Sequence, residues 1–398
     1  MTTRSMALRI LYDQPLPNVS AASIQVLKTA GAFARRGHDV RIYHPGKPID
    51  VQELSSYYGE AWPDSMTFLA SKYTDWLGRM HLRRDINHRF PASQAVVLLG
   101  RGAAVQGLLT ARRLSPRTIR LYEMHNIQWL RYAQKSSLNA ANSGRIVQLR
   151  EQEIQTIRAV DGLICLTQAV KEAARDLAGR LPPSLILPSG TNLSATESVS
   201  KAFDVTYAGK IEARKGVDIL VAAMAHLPGR HLAIAGGPKS AVAEIRKHVQ
   251  NHNLQDRIQI RENIPFSAVS DFLISGKVGV CPNPQGYDAV SDRFTSPMKL
   301  LQMLSLGMAV VATDTAPIRA IVQHDHDAWL VPANDPRALA VGIQTLLHNP
   351  ALALRLGHEA KKTAVRYSWD RRAERLERFV SLLAEPASAS SVGSTQTV

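Results

Sequence analysis

The feature that most constrains the fold is a regular alternation between short β-branched apolar runs and longer helical patterns. The alternation occurs twice along the 398-residue chain. Apolar runs of this kind are typical of parallel strands that are covered by helices on both faces. We therefore expect an α/β protein with two doubly wound domains. Ligands of such folds bind at the carboxyl ends of the strands, so the cleft between the domains is the expected site.

Each series contains six predicted strands. The first six lie at 7–12, 39–45, 95–100, 118–125, 161–167 and 184–190. The second six lie at 203–210, 231–237, 258–264, 278–284, 309–314 and 328–333. The intervening segments show helical periodicity, except that the aromatic-rich stretch 46–92 is predicted to be irregular.

A Ser/Thr-rich stretch separates the two series. Residues 192–203 have no apolar periodicity, which indicates a linker. The predicted units are an N-terminal domain at 1–192, a C-terminal domain at 203–365, an amphipathic helix at 366–384 and a disordered tail at 385–398.

The composition indicates a globular protein with an unusually basic surface. The formal net charge is +15, which attracts phosphates on small molecules, lipids or nucleic acids. The sequence shows no zinc-finger, RNP or basic-zipper motif, so nucleic acid is not the expected partner. No apolar run reaches the roughly 18 residues of a membrane span, and the N-terminus lacks a signal-peptide core. The only two cysteines, Cys165 and Cys281, lie in strand-like runs, as expected of buried thiols in the cytoplasm.

The first candidate phosphate site is the loop in AGKIEARKGVDIL. The strand ends at Ala208, Gly209 permits a tight turn, and Lys215 precedes the next helix. Lys210 and Lys215 stand at opposite ends of this loop. Two ammonium groups beside a helix N-terminus suit a diphosphate, because the free N–H groups also attract anions. A solvated basic loop is the alternative for this segment alone.

The second candidate site is the helix start in TSPMKLLQMLSLG. Pro297 fits the first turn of a helix, and Thr295 or Ser296 can cap it. Lys299 projects from the first turn, with Gln302 on a similar face. The alternative is an ordinary capped helix with a surface lysine. Two anion-binding helix starts in one domain favour a shared nucleotide diphosphate.

These segments, together with others in the same order, resemble a known family. The motifs AGKIEARKGVDILVAAMAHL, LAIAGGPK and SPMKLLQMLSLGMAVVATD are similar to the donor-side segments of GT-B glycosyltransferases, above all of glycosyltransferase family 4. The segments VLLGRGAAVQGLLTARRL, RLYEMHN, DGLICLTQAVKE and LPSGTN resemble the N-terminal part of that family. The resemblance spans residues 7–382. It implies a fold of two Rossmann-like domains facing a cleft, with the last helix crossing back to the N-terminal domain.

The resemblance also implies roles for individual residues. Lys210 and Lys215 would contact the donor diphosphate and stabilise the charge that develops on the leaving group. His125 would lie near the centre of sugar transfer, and Gln302 beside the ribose. The other residues implied in donor binding are Gly209, Gly236, Gly237, Thr295, Ser296, Pro297, Met298 and Lys299.

The sequence departs from the family at two positions of interest. The family often has two glutamates with seven residues between them, and Phe294 and Gln302 stand there instead. Either Asp288 or Asp292 replaces the first carboxylate, or that contact is absent. The lysine and glutamine in this helix also resemble the inverting glucuronosyltransferases of exopolysaccharide synthesis.

The stereochemistry of transfer is expected to be retaining. An inverting mechanism would need a carboxylate base in the N-terminal domain, for which Asp13 and Glu123 are the candidates. No metal is expected, and HDHD at 324–327 is interpreted as a solvated loop.

The segment YTDWLGRMHLRRDINHRF at 73–90 combines arginines with apolar residues. Such a basic amphipathic helix can lie on an anionic bilayer, or can pack on the domain with a solvated basic face. We favour contact with the inner face of the plasma membrane.

The predicted function is transfer of a sugar from a UDP- or GDP-sugar to a lipid-linked saccharide or surface polysaccharide. No covalently bound cofactor is expected. The alternatives are an inverting transferase, a nucleotide-sugar epimerase, an inactive homologue and, from another class, a nucleic-acid-binding protein.

Overall fold

The computed structural model describes residues 5–18, 20–70, 76–86, 94–110, 118–135, 140–193 and 200–385. Within these residues the strands form two parallel sheets. The strands of the first sheet are β1 (Met6–Tyr12), β2 (Asp39–His44), β3 (Met66–Ala70), β4 (Ala95–Arg101), β5 (Thr118–Met124), β6 (Gly162–Cys165) and β7 (Ser184–Ile186). The strands of the second sheet are β8 (Phe203–Ala208), β9 (Leu232–Gly236), β10 (Ile258–Glu262), β11 (Gly276–Cys281), β12 (Ala309–Thr313) and β13 (Trp329–Val331).

Both sheets have the same winding. The strand orders are β3-β2-β1-β4-β5-β6-β7 and β10-β9-β8-β11-β12-β13. Each order reverses direction once, between β1 and β4 in the first sheet and between β8 and β11 in the second. Such a reversal is the topological switch point at which doubly wound sheets bind ligands. The predicted α/β class with two doubly wound sheets is confirmed.

Helices cover both faces of each sheet. Those that follow the strands of the first sheet are α1 (Ala21–Arg35), α2 (Val51–Tyr58), α3 (Trp76–Ile86), α4 (Gln106–Leu109), α5 (Gln128–Lys135), α6 (Ala140–Ala159) and α7 (Gln168–Ala178). Those that follow the strands of the second sheet are α8 (Val217–Ala225), α9 (Lys239–Asn251), α10 (Val269–Ile274), α11 (Ala289–Arg293), α12 (Met298–Ser305), α13 (Ala316–Arg319), α14 (Pro336–His348), α15 (Pro350–Val365) and α16 (Trp369–Ala384).

Successive residues of β1 enter two different apolar clusters, because side chains alternate across a sheet. Leu8 and Ile10 pack on the face that is covered by α1 and α16, which we call the α16-side cluster. Ala7 and Leu11 pack on the opposite face with residues of α6 and α7, which we call the α7-side cluster.

The helix α16 belongs to the first sheet by its contacts, although it follows the second sheet in sequence. Trp369, Leu376 and Phe379 are buried in the α16-side cluster. Gly190 permits the close approach of the helix, because a Cβ atom at that residue would lie 2.5 Å from the Trp369 ring. A backbone bridge joins Thr191, where the chain leaves the half that contains the first sheet, to Ser368, where it returns to that half.

The stretch 46–92 was expected to be irregular, and this was wrong. It contains α2, the edge strand β3 and α3. The N-terminus of α2 is capped by Asp50, and the helix ends at Gly59, which has a φ of 64°. Only one of the five residues of β3 is buried, so the strand lacks the apolar pattern by which the other strands were recognised.

Two other expectations meet the limits of the described residues. Between β4 and β5, where helical periodicity was found, the chain forms a 3-10 turn followed by the short α4, and 111–117 lie outside the described residues. Half of the predicted linker, 194–199, and residues 386–398 of the predicted disordered tail also lie outside them.

Candidate functional site

The first part of the candidate site is the loop that follows β8 at the switch point of the second sheet. Gly209 has a φ of 153° and lies beside the Tyr207 hydroxyl group. Gly216 precedes α8 with a φ of 68°, and a Cβ atom there would lie 1.8 Å from the Pro282 carbonyl oxygen. Only glycine fits both this left-handed backbone and this close approach. The two glycines therefore let the loop turn tightly over the carboxyl end of β11.

The two lysines of this loop differ in environment. The Lys210 side chain is half exposed and lies 3.6 Å from the Glu212 carboxylate. Burial, together with the nearby cations Lys299 and Arg214, lowers the pKa of Lys215 to about 8. Lys215 is therefore a desolvated ammonium group with other cations near it, and this arrangement favours the binding of an anion.

Lys299 completes this cationic group. Its Nζ donates a hydrogen bond to the Tyr207 hydroxyl group over 3.0 Å, and lies 4.4 Å from the centre of the Tyr207 ring. Burial lowers the pKa of Lys299 as well. The ring fixes the position of the cation by a cation–π contact and leaves its charge uncompensated.

The start of α12 differs from expectation in one respect. Pro297 is the N-cap, and no side chain caps the helix within the described residues. Thr295 and Ser296 were expected to cap it, but the Thr295 hydroxyl group donates to the Ser291 carbonyl oxygen instead. The Ser296 hydroxyl group accepts a hydrogen bond from the Ser189 backbone N–H over 3.2 Å, so it joins the two halves of the molecule.

The missing cap leaves amide donors available. The N–H groups of Met298 and Lys299 have no hydrogen-bond acceptor among the residues that the structure describes. The Met298 side chain packs against the α16-side cluster, so only its backbone can serve the site. Gln302 Nε2 donates to the Ser270 hydroxyl group over 3.3 Å. These free amides beside Lys299 are a suitable binding site for phosphate oxygens.

Gly236 and Gly237, which the resemblance implies in donor binding, lie beside the loop that follows β8. A Cβ atom on Gly236 would lie 2.0 Å from the Gly209 carbonyl oxygen, so the ends of β8 and β9 approach each other closely. A Cβ atom on Gly237 would lie 2.4 Å from Asn263 Oδ1. The peptide bond between Gly237 and Pro238 is cis.

The switch point of the first sheet carries a different arrangement around His125. Nδ1 of His125 lies 3.0 Å from Arg101 Nη2, and Nε2 lies 3.0 Å from Glu123 Oε1. Both ring nitrogens therefore have partners. Burial, followed by repulsion from Arg101, lowers the pKa of His125 to about 4. The imidazole is neutral at physiological pH.

Glu123 is the centre of this polar cluster. Its carboxylate accepts hydrogen bonds from Arg372 and from Gln25 Nε2 as well as from His125. Burial alone would raise the pKa of Glu123, but Arg372, His125 and Arg101 together hold it well below its usual range. Such a carboxylate is a permanent anion that fixes its neighbours rather than a proton acceptor.

Sequence reasoning singled out Glu123 and His125 but missed Arg372. A signal was present, because Arg372 stands three residues after Trp369 and four before Leu376, on the buried stripe of α16. A charged residue on a buried stripe needs a buried partner.

Asp13 lies at the carboxyl end of β1. A Cβ atom on Gly102 would lie 1.9 Å from its carboxylate, so glycine makes room for this side chain. Burial raises the pKa of Asp13, although Arg101 opposes the shift. In contrast to Glu123, Asp13 therefore takes up a proton at a higher pH than an ordinary aspartate does.

Phe294, which stands where the family often has glutamate, is 2% exposed and packs in the α7-side cluster. The aspartates considered as substitutes stabilise the adjacent loop instead. Asp288 caps α11 through the Ser291 N–H, and Asp292 accepts a hydrogen bond from the Gly286 N–H. Phe294 thus forms an apolar contact between the two halves of the molecule.

Among the described residues there is no group of three or more His, Cys, Asp or Glu side chains that could hold an ion. The residues of HDHD have structural partners: His324 accepts from the Leu330 N–H, Asp325 pairs with Arg355, and Asp327 accepts from Thr363.

The basic segment 73–90 is described in part, as α3. Asp85 pairs with Arg9 and Arg41 and so fixes this helix on the first sheet, and Leu82 is buried. Met80 is 45% exposed. Residues 73–75 and 87–90 lie outside the described residues. None of the helices that the structure describes is long and apolar enough to cross a bilayer.

Known proteins resemble this chain in sequence and in fold. Residues 202–349 match the family model described as glycosyl transferases group 1. A D-inositol 3-phosphate glycosyltransferase of Xylanimonas cellulosilytica is 25% identical over 55% of this chain and 56% of its own length. The exopolysaccharide phosphotransferase SCO2592 of Streptomyces coelicolor is 26% identical over 53% of this chain and 22% of its own. The chain thus spans about half or less of the length of these curated relatives.

A solved structure matches nearly the whole chain. Anabaena HepE, crystallised with UDP-glucose, superposes with a TM-score of 0.68 at 14% identity, over 94% of this chain and 99% of its own. At this identity the match establishes the fold, which is GT-B. Both curated relatives are named as transferases, which is the enzyme class that the motifs predict. The resemblance to group 1 glycosyltransferases is therefore confirmed: residues 202–349 match the model of that family, and the chain as a whole has the GT-B fold.

Proposed function

We propose that the protein transfers a sugar from a nucleotide-sugar donor to a hydroxyl group of a saccharide acceptor. The observation that carries this proposal is the pair of desolvated ammonium groups, Lys215 and Lys299, beside the free amides at the start of α12. Charges in such a low-dielectric position interact strongly with a diphosphate. The donor is a UDP- or GDP-sugar, and the UDP-glucose bound to HepE favours the former.

The residues of the second sheet would hold the donor. Lys215 and Lys299 contact the diphosphate and stabilise the negative charge that develops on it as the sugar leaves. Lys210, which is more exposed, reaches the phosphates from the edge of the loop. The amides of Met298 and Lys299 replace the coordination that a metal ion would supply, and the hydroxyl groups of Thr295 and Ser296 keep Pro297 in place.

The remaining donor contacts follow from the neighbouring strands. Gln302 lies within reach of a ribose hydroxyl group once it releases Ser270. Gly209, Gly236 and Gly237 form the wall beside the nucleotide. A side chain on Gly236 would collide with the Gly209 carbonyl oxygen, and one on Gly237 would collide with Asn263.

We propose retention of configuration at the transferred sugar. Both ring nitrogens of His125 are engaged, and Glu123 is held as an anion by two arginines, so neither is free to accept the proton of the acceptor hydroxyl group. In the transfer the bond from the acceptor oxygen to the anomeric carbon forms and the bond to the phosphate oxygen breaks. The acceptor proton passes to the departing phosphate oxygen.

An inverting reaction is the alternative, and Asp13 is the observation that favours it. Its raised pKa and its place at the switch point suit a general base. Product analysis by NMR distinguishes the two: with an α-linked donor, retention gives an α-linked product and inversion a β-linked one.

For the acceptor we propose a lipid-linked saccharide or a surface polysaccharide, at the inner face of the plasma membrane. The exopolysaccharide protein among the relatives and the net charge of +15 support this choice. Residues 1–192 would bind the acceptor and residues 203–365 the donor, with 366–384 returning to the first domain. Sedimentation with phosphatidylglycerol vesicles tests the membrane contact. Arg83→Glu together with Arg84→Glu is expected to weaken it.

The decisive experiment is a thermal-shift screen with UDP, GDP, ADP and their glucose conjugates. A ligand at about 100 times its dissociation constant stabilises a protein by roughly 2.7 kcal/mol. We expect one nucleotide to stabilise the wild type and to lose this effect in Lys215→Ala. The matched control is Lys247→Ala, since Lys247 is an exposed lysine of α9. If no nucleotide stabilises the wild type, the donor site is refuted.

Turnover separates the remaining alternatives. A transferase releases nucleotide in proportion to the acceptor present, whereas an epimerase interconverts nucleotide-sugars without an acceptor. An inactive homologue would bind the nucleotide without either reaction, and a nucleic-acid-binding protein would show strongly salt-dependent binding to nucleic acid and no preference among sugar nucleotides.

A further inference from the structure

The C-terminal helix places a buried guanidinium group in the cluster around His125. Arg372 is 3% exposed. It donates to Glu123 from Nη2, to the Pro188 carbonyl oxygen from Nε over 3.0 Å, and to the Thr29 hydroxyl group from Nη1 over 3.3 Å. Three directional hydrogen bonds from one planar group leave it no freedom to rotate.

We propose that Arg372 is a positioning residue of the transfer centre, which holds Glu123 against His125 and thereby keeps the imidazole neutral with its proton on Nε2. The inference rests on the proposed function only in treating His125 as part of that centre. It assigns to the C-terminal helix a task beyond packing.

The tautomer follows from the chemistry of the partners. A guanidinium group only donates hydrogen bonds, so His125 Nδ1 must accept from Arg101. A carboxylate that is held ionised only accepts, so Nε2 must carry the proton that it donates to Glu123. Because Gln25 donates to the same carboxylate oxygen, the position of Glu123 is fixed from α1 as well as from α16.

The charges that surround His125 come from three elements. Arg101 lies at the end of β4, Glu123 is on β5 and Arg372 is on α16, while Asp13 at the end of β1 acts on Arg101. Two cations and one anion face the ring, so a proton on Nδ1 meets net repulsion as well as the cost of burial. Removing Arg372 leaves Arg101 and Glu123, and the balance shifts toward the imidazolium ion.

A neutral ring at this place has a consequence for transfer. An imidazolium ion beside the anomeric carbon would repel the positive charge that develops on the sugar in the transition state. Arg372 therefore favours transfer by holding Glu123 and the neutral ring in place and by lowering the pH at which an imidazolium ion forms, and it does so without touching the substrate.

The test is NMR of the histidine ring nitrogens in the full-length protein labelled with ¹⁵N-histidine. Of the 13 histidine rings, His125 is identified by the signal that is lost in His125→Gln. In the wild type we expect the Nε2–H tautomer with no titration between about pH 5.5 and 9, given a midpoint near pH 4. In Arg372→Met we expect this midpoint to rise by about one pH unit or more.

The matched control is Arg375→Met, on the same helix. Arg375 donates to the Ile186 carbonyl oxygen over 2.8 Å and does not touch Glu123. We expect its His125 signals to equal those of the wild type. An unchanged midpoint in Arg372→Met, or an Nδ1–H tautomer in the wild type, overturns the proposal.

Arg372→Lys separates charge from geometry and serves if the methionine variant does not fold. Lysine keeps the cation but lacks the planar fork, so we expect the midpoint to stay low while kcat for UDP release from UDP-glucose falls on the order of tenfold, at unchanged KM. Signals and kcat equal to those of the wild type would overturn the proposal. Because the NMR measurement needs neither donor nor acceptor, its failure is distinguishable from failure of the proposed transfer.

Discussion

The two switch points share one backbone plan but use charge in opposite ways. At the second sheet, Lys299 lies close enough to Lys215 to lower its affinity for protons, and Glu212 pairs with Lys210 and Arg214 instead. At the first sheet, the cations are directed to internal partners, with Arg372 on Glu123. One half thus holds positive charge ready for an anion, whereas the other uses its charges to fix its own geometry.

The difference predicts which half tolerates the loss of a charge. In the donor half, removing a lysine relieves repulsion and should cost function rather than stability. In the cluster around Glu123, removing one charge leaves the others buried and unpaired, which is among the costliest changes in a protein interior. The predictions below test this contrast, from the largest expected effect to the smallest.

The largest effect is expected for Glu123→Gln. It leaves Arg372 buried without its anion, so we expect the free energy of unfolding to fall by about 3–5 kcal/mol in urea denaturation at pH 7. The control is Glu374→Gln, because Glu374 forms surface pairs with Arg371 and Arg378. We expect the free energy of unfolding of this variant to fall by at most about 1 kcal/mol. Equal losses in the two variants would contradict the contrast.

The same carboxylate has a predictable pH dependence. The pKa of Glu123 is lower in the folded protein than in the unfolded chain. Its contribution is therefore complete above about pH 4.3, the value for an unperturbed glutamate. It is lost only as the pH falls toward the lowered folded value. The stability difference between wild type and Glu123→Gln should accordingly stay constant from pH 8 down to about pH 5.

Next in size is Lys215→Ala. We expect kcat/KM for the nucleotide-sugar that stabilises the protein to fall by about 10²–10³, as for loss of one donor that stabilises developing negative charge. Stability without ligand should be unchanged or slightly higher, because a desolvated cation is removed. Urea denaturation and initial rates measure the two quantities. A large loss of stability with little loss of activity in Lys215→Ala would contradict the contrast between the donor half and the cluster around Glu123.

The sequence predicts the donor half of the site better than the half around Glu123, because the two halves differ in how far apart in sequence their contacting residues lie. Gly209, Lys215 and Lys299 each stand at the junction of one strand or helix with a loop, so the local pattern identified them. Arg372 meets Glu123 across 249 residues, and no local pattern states which anion a buried arginine will reach. The half of the site around Glu123 is therefore formed by contacts between residues that are distant in sequence.

The position of Phe294 illustrates the same limit. Its sequence neighbours Asp288 and Asp292 suggested a substitute for a missing carboxylate, yet both hold the loop around α11 through local hydrogen bonds. The phenylalanine packs among residues of the first sheet, which are distant in sequence. The apolar alternation that predicted twelve strands likewise missed the edge strand β3, because a strand with one buried side chain has little pattern to detect.

A smaller effect is expected in the pH dependence of donor binding. The pKa of Lys215 is about 8 without ligand, so the fraction of the ammonium form falls as the pH rises through that value. We expect the dissociation constant of UDP, measured by calorimetry, to rise between pH 7.5 and 9.5, by at most about tenfold per pH unit for one proton. The rise should be lost in Lys215→Met and retained in Lys247→Ala. A flat profile in the wild type would show that Lys215 does not contact the phosphates.

The smallest effect is expected for Tyr207→Phe, which probes how the donor half keeps its charge available. The substitution removes the hydroxyl group that accepts a hydrogen bond from Lys299 Nζ, and keeps the ring beneath the cation. The hydroxyl group also donates to the Lys210 carbonyl oxygen over 2.9 Å, so the loop loses one support as well. A hydrogen bond of this kind contributes about 0.5–1.5 kcal/mol, and we expect the dissociation constant of UDP to rise by roughly three- to tenfold.

Tyr207→Leu removes the ring too and should weaken binding further, because Lys299 then loses its cation–π contact. If the phenylalanine variant bound UDP as the wild type does while the leucine variant did not, the ring alone would position Lys299. If neither variant altered binding, Lys299 would not depend on Tyr207, and the second switch point would hold its cations by burial alone.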